Sequence, residues 1–76
     1  MPDYMYAIET DDQVHIRSQA DENSQEITQV NAGIRMMAAS EVEGGSYGGS
    51  RPGSSWYPVQ YESLEGYVAA GYVHVV

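Results

Sequence analysis

The sequence predicts an all-β protein of five to six short antiparallel strands, closed as a small barrel or packed as a pair of sheets. Three observations carry this. Apolar and polar residues alternate in short runs, helical periodicity is nearly absent, and turn-forming residues interrupt the chain every few positions. The length fits too: 76 residues without a cysteine leave room for one core and no disulfide framework. The whole of 1–76 is expected to be a single domain. Half of it could not offset the roughly 1.5 kcal/mol per residue that ordering costs. Closing the sheet would also protect edges that so short a chain has nothing to cover with.

The elements follow in order. "YMYAIET" (4–10) is rich in β-formers and ends at Asp11-Asp12. "QVHIR" (13–17) alternates, with Val14 and Ile16 on the inner face and His15 and Arg17 on the outer. "SQADENSQ" (18–25) is a polar loop of turn residues. "EITQV" (26–30) leads through the turn "NAG" (31–33) into "IRMMAAS" (34–40), with Ile34 and Met36 inward. "SWYPVQY" (55–61) is strongly strand-like, and Pro58, which has no N–H, is expected at an edge or bulge. Tyr57, Val59 and either Tyr67 or Val68 are expected in the core. "ESLEG" (62–66) reads as a hairpin connection, and "YVAAGYVHVV" (67–76) closes the chain with a kink at 69–71.

Charge excludes some partners. Eleven Asp and Glu stand against three Lys and Arg, for a net charge of −8. Nucleic-acid binding needs cations that displace phosphate counterions, so no nucleic acid is expected, and anionic membranes are disfavoured for the same reason. No apolar run reaches the roughly 18–20 residues of a membrane span. "MPDYMYAIET" lacks the basic and apolar segments of a signal peptide. The expected location is cytoplasmic for a full-length chain, and the cell wall or extracellular space for a fragment of a secreted protein.

No catalytic constellation emerges, and no enzyme is expected. His15 and His74 fall on different strands, and no spacing selects a serine to join them. The acidic pairs "DDQ" and "DEN" lack a calcium ladder, and the histidines lack zinc spacing, so neither a metal nor a cofactor is predicted. "GGSYGGS" has no lysine and no following helix, which rules out a phosphate cradle. The aromatic balance is more telling: seven Tyr and one Trp with no Phe. Such residues join an apolar body to a polar tip, which suits half-exposed recognition surfaces. Tyr4, Tyr6, Trp56, Tyr61 and Tyr72 are candidates for a shallow groove, with Asp21 and Glu22 on its rim. That rim would favour a free amine or basic side chain. Tyr47 and Arg51, at the centre of "EVEGGSYGGSRPGSSW", are residue types that anchor contacts.

The order of these segments resembles the bacterial SH3-like (SH3b) family. Val14-His15-Ile16-Arg17-Ser18 matches its opening motif, Ile27 and Val30 its second strand, and Gly33 its turn. Trp56-Tyr57-Pro58-Val59 matches its aromatic strand, and Gly66 to Val73 its closing motif. Three departures stand out: Gln19-Ala20 in place of Gly-Pro, Tyr67 in place of the commoner Trp, and a longer connection at 41–55. The resemblance implies an SH3-like barrel in which 41–55 is a long Gly/Ser-rich intradomain loop. It also implies a non-catalytic module that binds a peptide or protein, peptidoglycan among the candidates.

The alternative is a free-standing acidic interaction or inhibitor protein, of the phage or mobile-element type, that covers a basic surface of a larger partner. An assembly subunit that oligomerises through an open barrel edge is a third possibility; the sequence leaves the oligomeric state open. Two expectations can be checked against structure. Val14→Ala or Val59→Ala should unfold the domain, at about 2–5 kcal/mol, and deleting 44–54 should leave the fold intact.

Overall fold

Alternation places the first strands as expected. In the computed structural model, which describes residues 3–76, Val14 and Ile16 are buried while His15 between them is exposed. The strands are β1 (Tyr6–Thr10), β2 (Val14–Arg17), β3 (Glu26–Val30), β4 (Arg35–Ala38), β5 (Val42–Tyr47), β6 (Gly53–Tyr61), β7 (Leu64–Ala69) and β8 (Val73–Val75). A single 3₁₀ turn, Ala70–Tyr72, separates the last two. It is the kink expected at 69–71. All recorded pairings are antiparallel, in the order β3-β2-β7-β6-β4-β1-β8, with β5 added beside β6.

The expected closure is not made by backbone hydrogen bonds. Among the described residues the ladder ends at β3 and β8. Side chains complete the barrel instead. Val30 of β3 and Val73 of β8 belong to one core cluster with Ile8, Val14, Ile16, Met36, Ala38, Val59 and Val68. Ile34, Tyr57 and Tyr61 pack against it, partly buried. At the 31–33 turn, Thr10 is buried and fully used. Its hydroxyl donates to the Asn31 carbonyl (2.7 Å) and accepts from Ile34 N–H (2.9 Å). Gly33 supplies the positive φ of 81° that this turn requires.

Three expectations need correction. The strands number eight among the described residues, not five to six, because the 41–55 segment contributes β5 and the chain's last ten residues divide between β7 and β8. The long loop at 41–55 does not exist as such: β5 and the start of β6 form a hairpin there, joined by residues 48–52. Gly44 is present for close approach, not for freedom. A Cβ there would overlap the Ala20 carbonyl oxygen and come within 2.6 Å of Trp56 Cδ1. Pairing slips between Glu43 and Tyr47, a bulge that frees Gly45 for other partners. Its N–H donates to the Ala20 carbonyl (2.8 Å) and its own carbonyl accepts from Trp56 Nε1 (2.8 Å).

The third correction concerns Pro58, which lies in the central strand. The nine residues of β6 carry β7 on one flank, and β4 followed by β5 on the other. The Pro58 carbonyl accepts from Ala39 N–H (2.9 Å). Its nitrogen therefore points to the same flank, at the gap where β4 has ended and β5 has not begun. No ladder donor is needed at that gap, so a proline fits.

Candidate binding hollow

Three segments converge beside the 3₁₀ turn: the 18–25 loop, the β5–β6 hairpin, and the turn itself. The loop is braced internally. Asp21 Oδ1 accepts from Asn23 N–H (2.9 Å), the Ser24 hydroxyl donates to the Asp21 carbonyl (2.6 Å), and Arg17 Nη1 donates to the Ser24 carbonyl (2.9 Å). The hairpin is braced from outside. Tyr47 Oη donates to the Ser55 carbonyl (2.9 Å) and accepts from Gly71 N–H (3.1 Å). Tyr72 Oη donates to the Gly48 carbonyl (2.8 Å) and accepts from Arg51 N–H (3.3 Å). Gly49, at φ 87°, lies where a Cβ would strike the Tyr72 hydroxyl. Arg51 Nη1 donates to Asp11 Oδ2 (3.2 Å) and to the Gly71 carbonyl (3.3 Å), and the other Asp11 oxygen meets His74 Nδ1 at 2.6 Å.

These braces shape a hollow of about 280 Å³. Glu22, Tyr47, Trp56 and Tyr72, all predicted from the sequence, line it. Tyr47 meets Trp56 edge to face, with centroids 5.3 Å apart at 81°, and its ring centroid lies 6.1 Å from that of Tyr72. Trp56 is only 2 % exposed and Tyr47 only 7 %. The sequence places Trp56 in a shallow, half-exposed groove and Tyr47 on a long loop, and neither expectation of exposure holds. Both instead form a buried aromatic backing, because the Gly44–Gly45 bulge lets the hairpin lie on the Trp56 ring. Half-buried Tyr72 is the aromatic residue with surface to offer.

The remaining predicted residues fall elsewhere. Arg51 clamps the hairpin turn and does not line the hollow. Asp21 packs against Gly45, 3.1 Å from where a Cβ would stand. Tyr61 packs on the core. Tyr6 lines a separate hollow of about 260 Å³ with Ser40, Glu41, Tyr57 and Val75. Tyr57 has its phenol pKa raised by burial, with Glu41 adding to the effect. Tyr4 donates to Glu65 Oε1 (2.6 Å). Burial first, then that carboxylate, push its phenol up to about 12.

The sequence reading missed Gln13, His15 and Arg17, which also line the main hollow. The signal was available: His15 and Arg17 share the outer face of β2, directly before the acidic loop. What the sequence could not supply was the hairpin that folds over that face. His15 pairs with Glu26 on neighbouring β3. Among the described residues, no group of three or more His, Cys, Asp or Glu side chains could hold a metal.

Residues 12–74 match the family of bacterial SH3 domains. No curated protein and no solved structure gives a significant match.

Proposed function

This chain belongs to the bacterial SH3 domain family, and on that premise we propose that it is a binding module. In this reading it takes up a short peptide segment, from the bacterial cell wall or from a protein partner, and breaks no bond. The observation that carries the reading is the hollow beside Tyr72, whose aromatic wall is fixed by hydrogen bonds from three separate segments. A wall held before the ligand arrives loses little side-chain entropy on binding.

The single tryptophan lies in that lining, so it reports on occupancy. The test is retention on insoluble peptidoglycan at low and high salt, together with Trp56 fluorescence titrated with soluble wall peptides. Salt-resistant retention with a saturable fluorescence change supports the reading. An unchanged Trp56 signal despite retention would place binding elsewhere on the molecule.

A second reading keeps one specific observation in its favour. Glu41 and Glu43 are exposed at and beside β5, which among the described residues pairs only with β6, and Asp21 lies against the same strand at Gly45, with exposed Glu22 next to it in sequence. An acidic edge of this kind suits a basic protein surface. Capture of one basic protein, lost at high salt, would favour it.

A further inference from the structure

The arginines of the surface are paired with carboxylates, with one exception, and that exception lines the main hollow. Arg35 pairs with Glu9 and Arg51 with Asp11, while both histidines face carboxylates. Arg17 is different. Among the described residues it has no carboxylate within ion-pair distance, and its one hydrogen bond goes to the Ser24 carbonyl through Nη1. Glu22 likewise has neither an ion pair nor a hydrogen bond there. Both line the same hollow of about 280 Å³, and they do not pair with each other.

From this, and resting on the peptide-binding reading above, we infer that the hollow takes a zwitterionic peptide end. Arg17 holds the C-terminal α-carboxylate, and Glu22 holds an ammonium on a side chain close to that terminus. A guanidinium carries five N–H donors in a planar fork. One is used on Ser24, and the others suit a carboxylate, whose two oxygens match the fork. At about 280 Å³ the hollow lies just below the roughly 300–1,000 Å³ typical of ligand sites, a size that suits a short peptide end. Tyr72, on the aromatic wall, offers apolar surface to the aliphatic part between the two charges. The net charge of −8 repels a carboxylate at long range. At physiological ionic strength that repulsion is screened beyond about 8 Å, so the adjacent guanidinium decides.

The test uses three peptides on the full chain: N-acetyl-Ala-Lys-Ala as the free acid, the same peptide as its C-terminal amide, and the free acid with its lysine acetylated. Binding is read from Trp56 fluorescence and from backbone amide shifts at Arg17, Glu22 and Ala69. Amidation is expected to weaken binding by roughly tenfold or more, through loss of a charge-assisted pair. Acetylating the lysine should weaken it severalfold, since Glu22 is exposed. Arg17→Gln should erase the difference between acid and amide, and Glu22→Gln the difference between amine and acetylated amine. If Arg17→Gln fails to fold, the wild-type comparison of acid with amide decides alone. Equal binding of all three peptides would overturn the inference while leaving peptide binding intact. Loss of only one of the two discriminations would overturn the zwitterionic assignment. Absence of any shift in the hollow with all three would overturn both.

Discussion

Val59 occupies a point of the core with little room to adjust. It is 0 % exposed, and its ladder partners are Ala38 on one side and Gly66 on the other. Neither can swell to fill a void, and Gly66 is held small because a Cβ there would come within 2.6 Å of both the Arg17 carbonyl and Ile16. Val59→Ala is therefore expected to cost roughly 2–3 kcal/mol, transfer and cavity terms together. That is a large share of the stability of so small a domain, and a denaturant midpoint that does not move would contradict it. Val14→Ala, which faces the same cluster, should behave similarly. Tyr4 carries a pH prediction with a definite sign. Its folded pKa of about 12 lies above the ordinary 10.0. Its contribution to stability is therefore fully present below about 10 and is lost as pH rises towards 12. Tyr4→Phe should flatten the melting temperature across that alkaline window and leave it little changed near neutrality. An unaltered alkaline decline would assign the loss to other phenols.

The β5–β6 hairpin is the element that the sequence obscured. Composition made "EGGSYGGSRPGSS" look like a long loop, because glycine and serine weaken any local preference for a strand. What makes it a strand is distant: Trp56 Nε1 bonds the Gly45 carbonyl, Tyr47 and Tyr72 bind across to the 3₁₀ turn and the hairpin turn, and Ala20 accepts from Gly45. Short-range patterning has no access to such contacts. Where a strand's burial follows from its own alternation, as with Val14 and Ile16 in β2, position and inward face were both legible. The same limit governed the candidate site. Tyr72, Trp56, Tyr47 and Glu22 could be picked by residue type, whereas Arg17 needed the hairpin before its outer face became a wall. Deleting 44–54 is now expected to unfold the protein, reversing the sequence-based expectation, since it removes most of β5 and the acceptor of the Trp56 N–H. A native-like circular dichroism spectrum after that deletion would return the segment to a dispensable loop. Gly44→Ala tests the same element more gently. The added methyl must displace the Ala20 carbonyl or the Trp56 ring, an overpacking cost of about 1–3 kcal/mol. A red-shifted Trp56 emission should accompany the loss of stability.

At the scale of the whole molecule, two electrostatic effects oppose each other, and salt separates them. The ion pairs Arg35–Glu9 and Arg51–Asp11 have well-exposed guanidinium groups, and exposed pairs of this kind contribute about 0–1 kcal/mol each. Added salt weakens them. Against them stand eleven carboxylates served by three arginines, a net charge of −8 on a body whose longest extent is 26 Å. Many of these carboxylates are then within two to three screening lengths of one another at physiological ionic strength, and closer than one at low salt. Folding brings them together, so self-repulsion destabilises the compact state more than the few pairs support it. The melting temperature at neutral pH should therefore rise as sodium chloride increases from about 10 mM to about 150 mM, where the Debye length shortens from roughly 30 Å to roughly 8 Å. A fall over that range would mean that the Asp11–Arg51–His74 cluster and its counterparts outweigh the net charge. The hairpin brace, not the apolar core, would then be the electrostatically sensitive part of the fold.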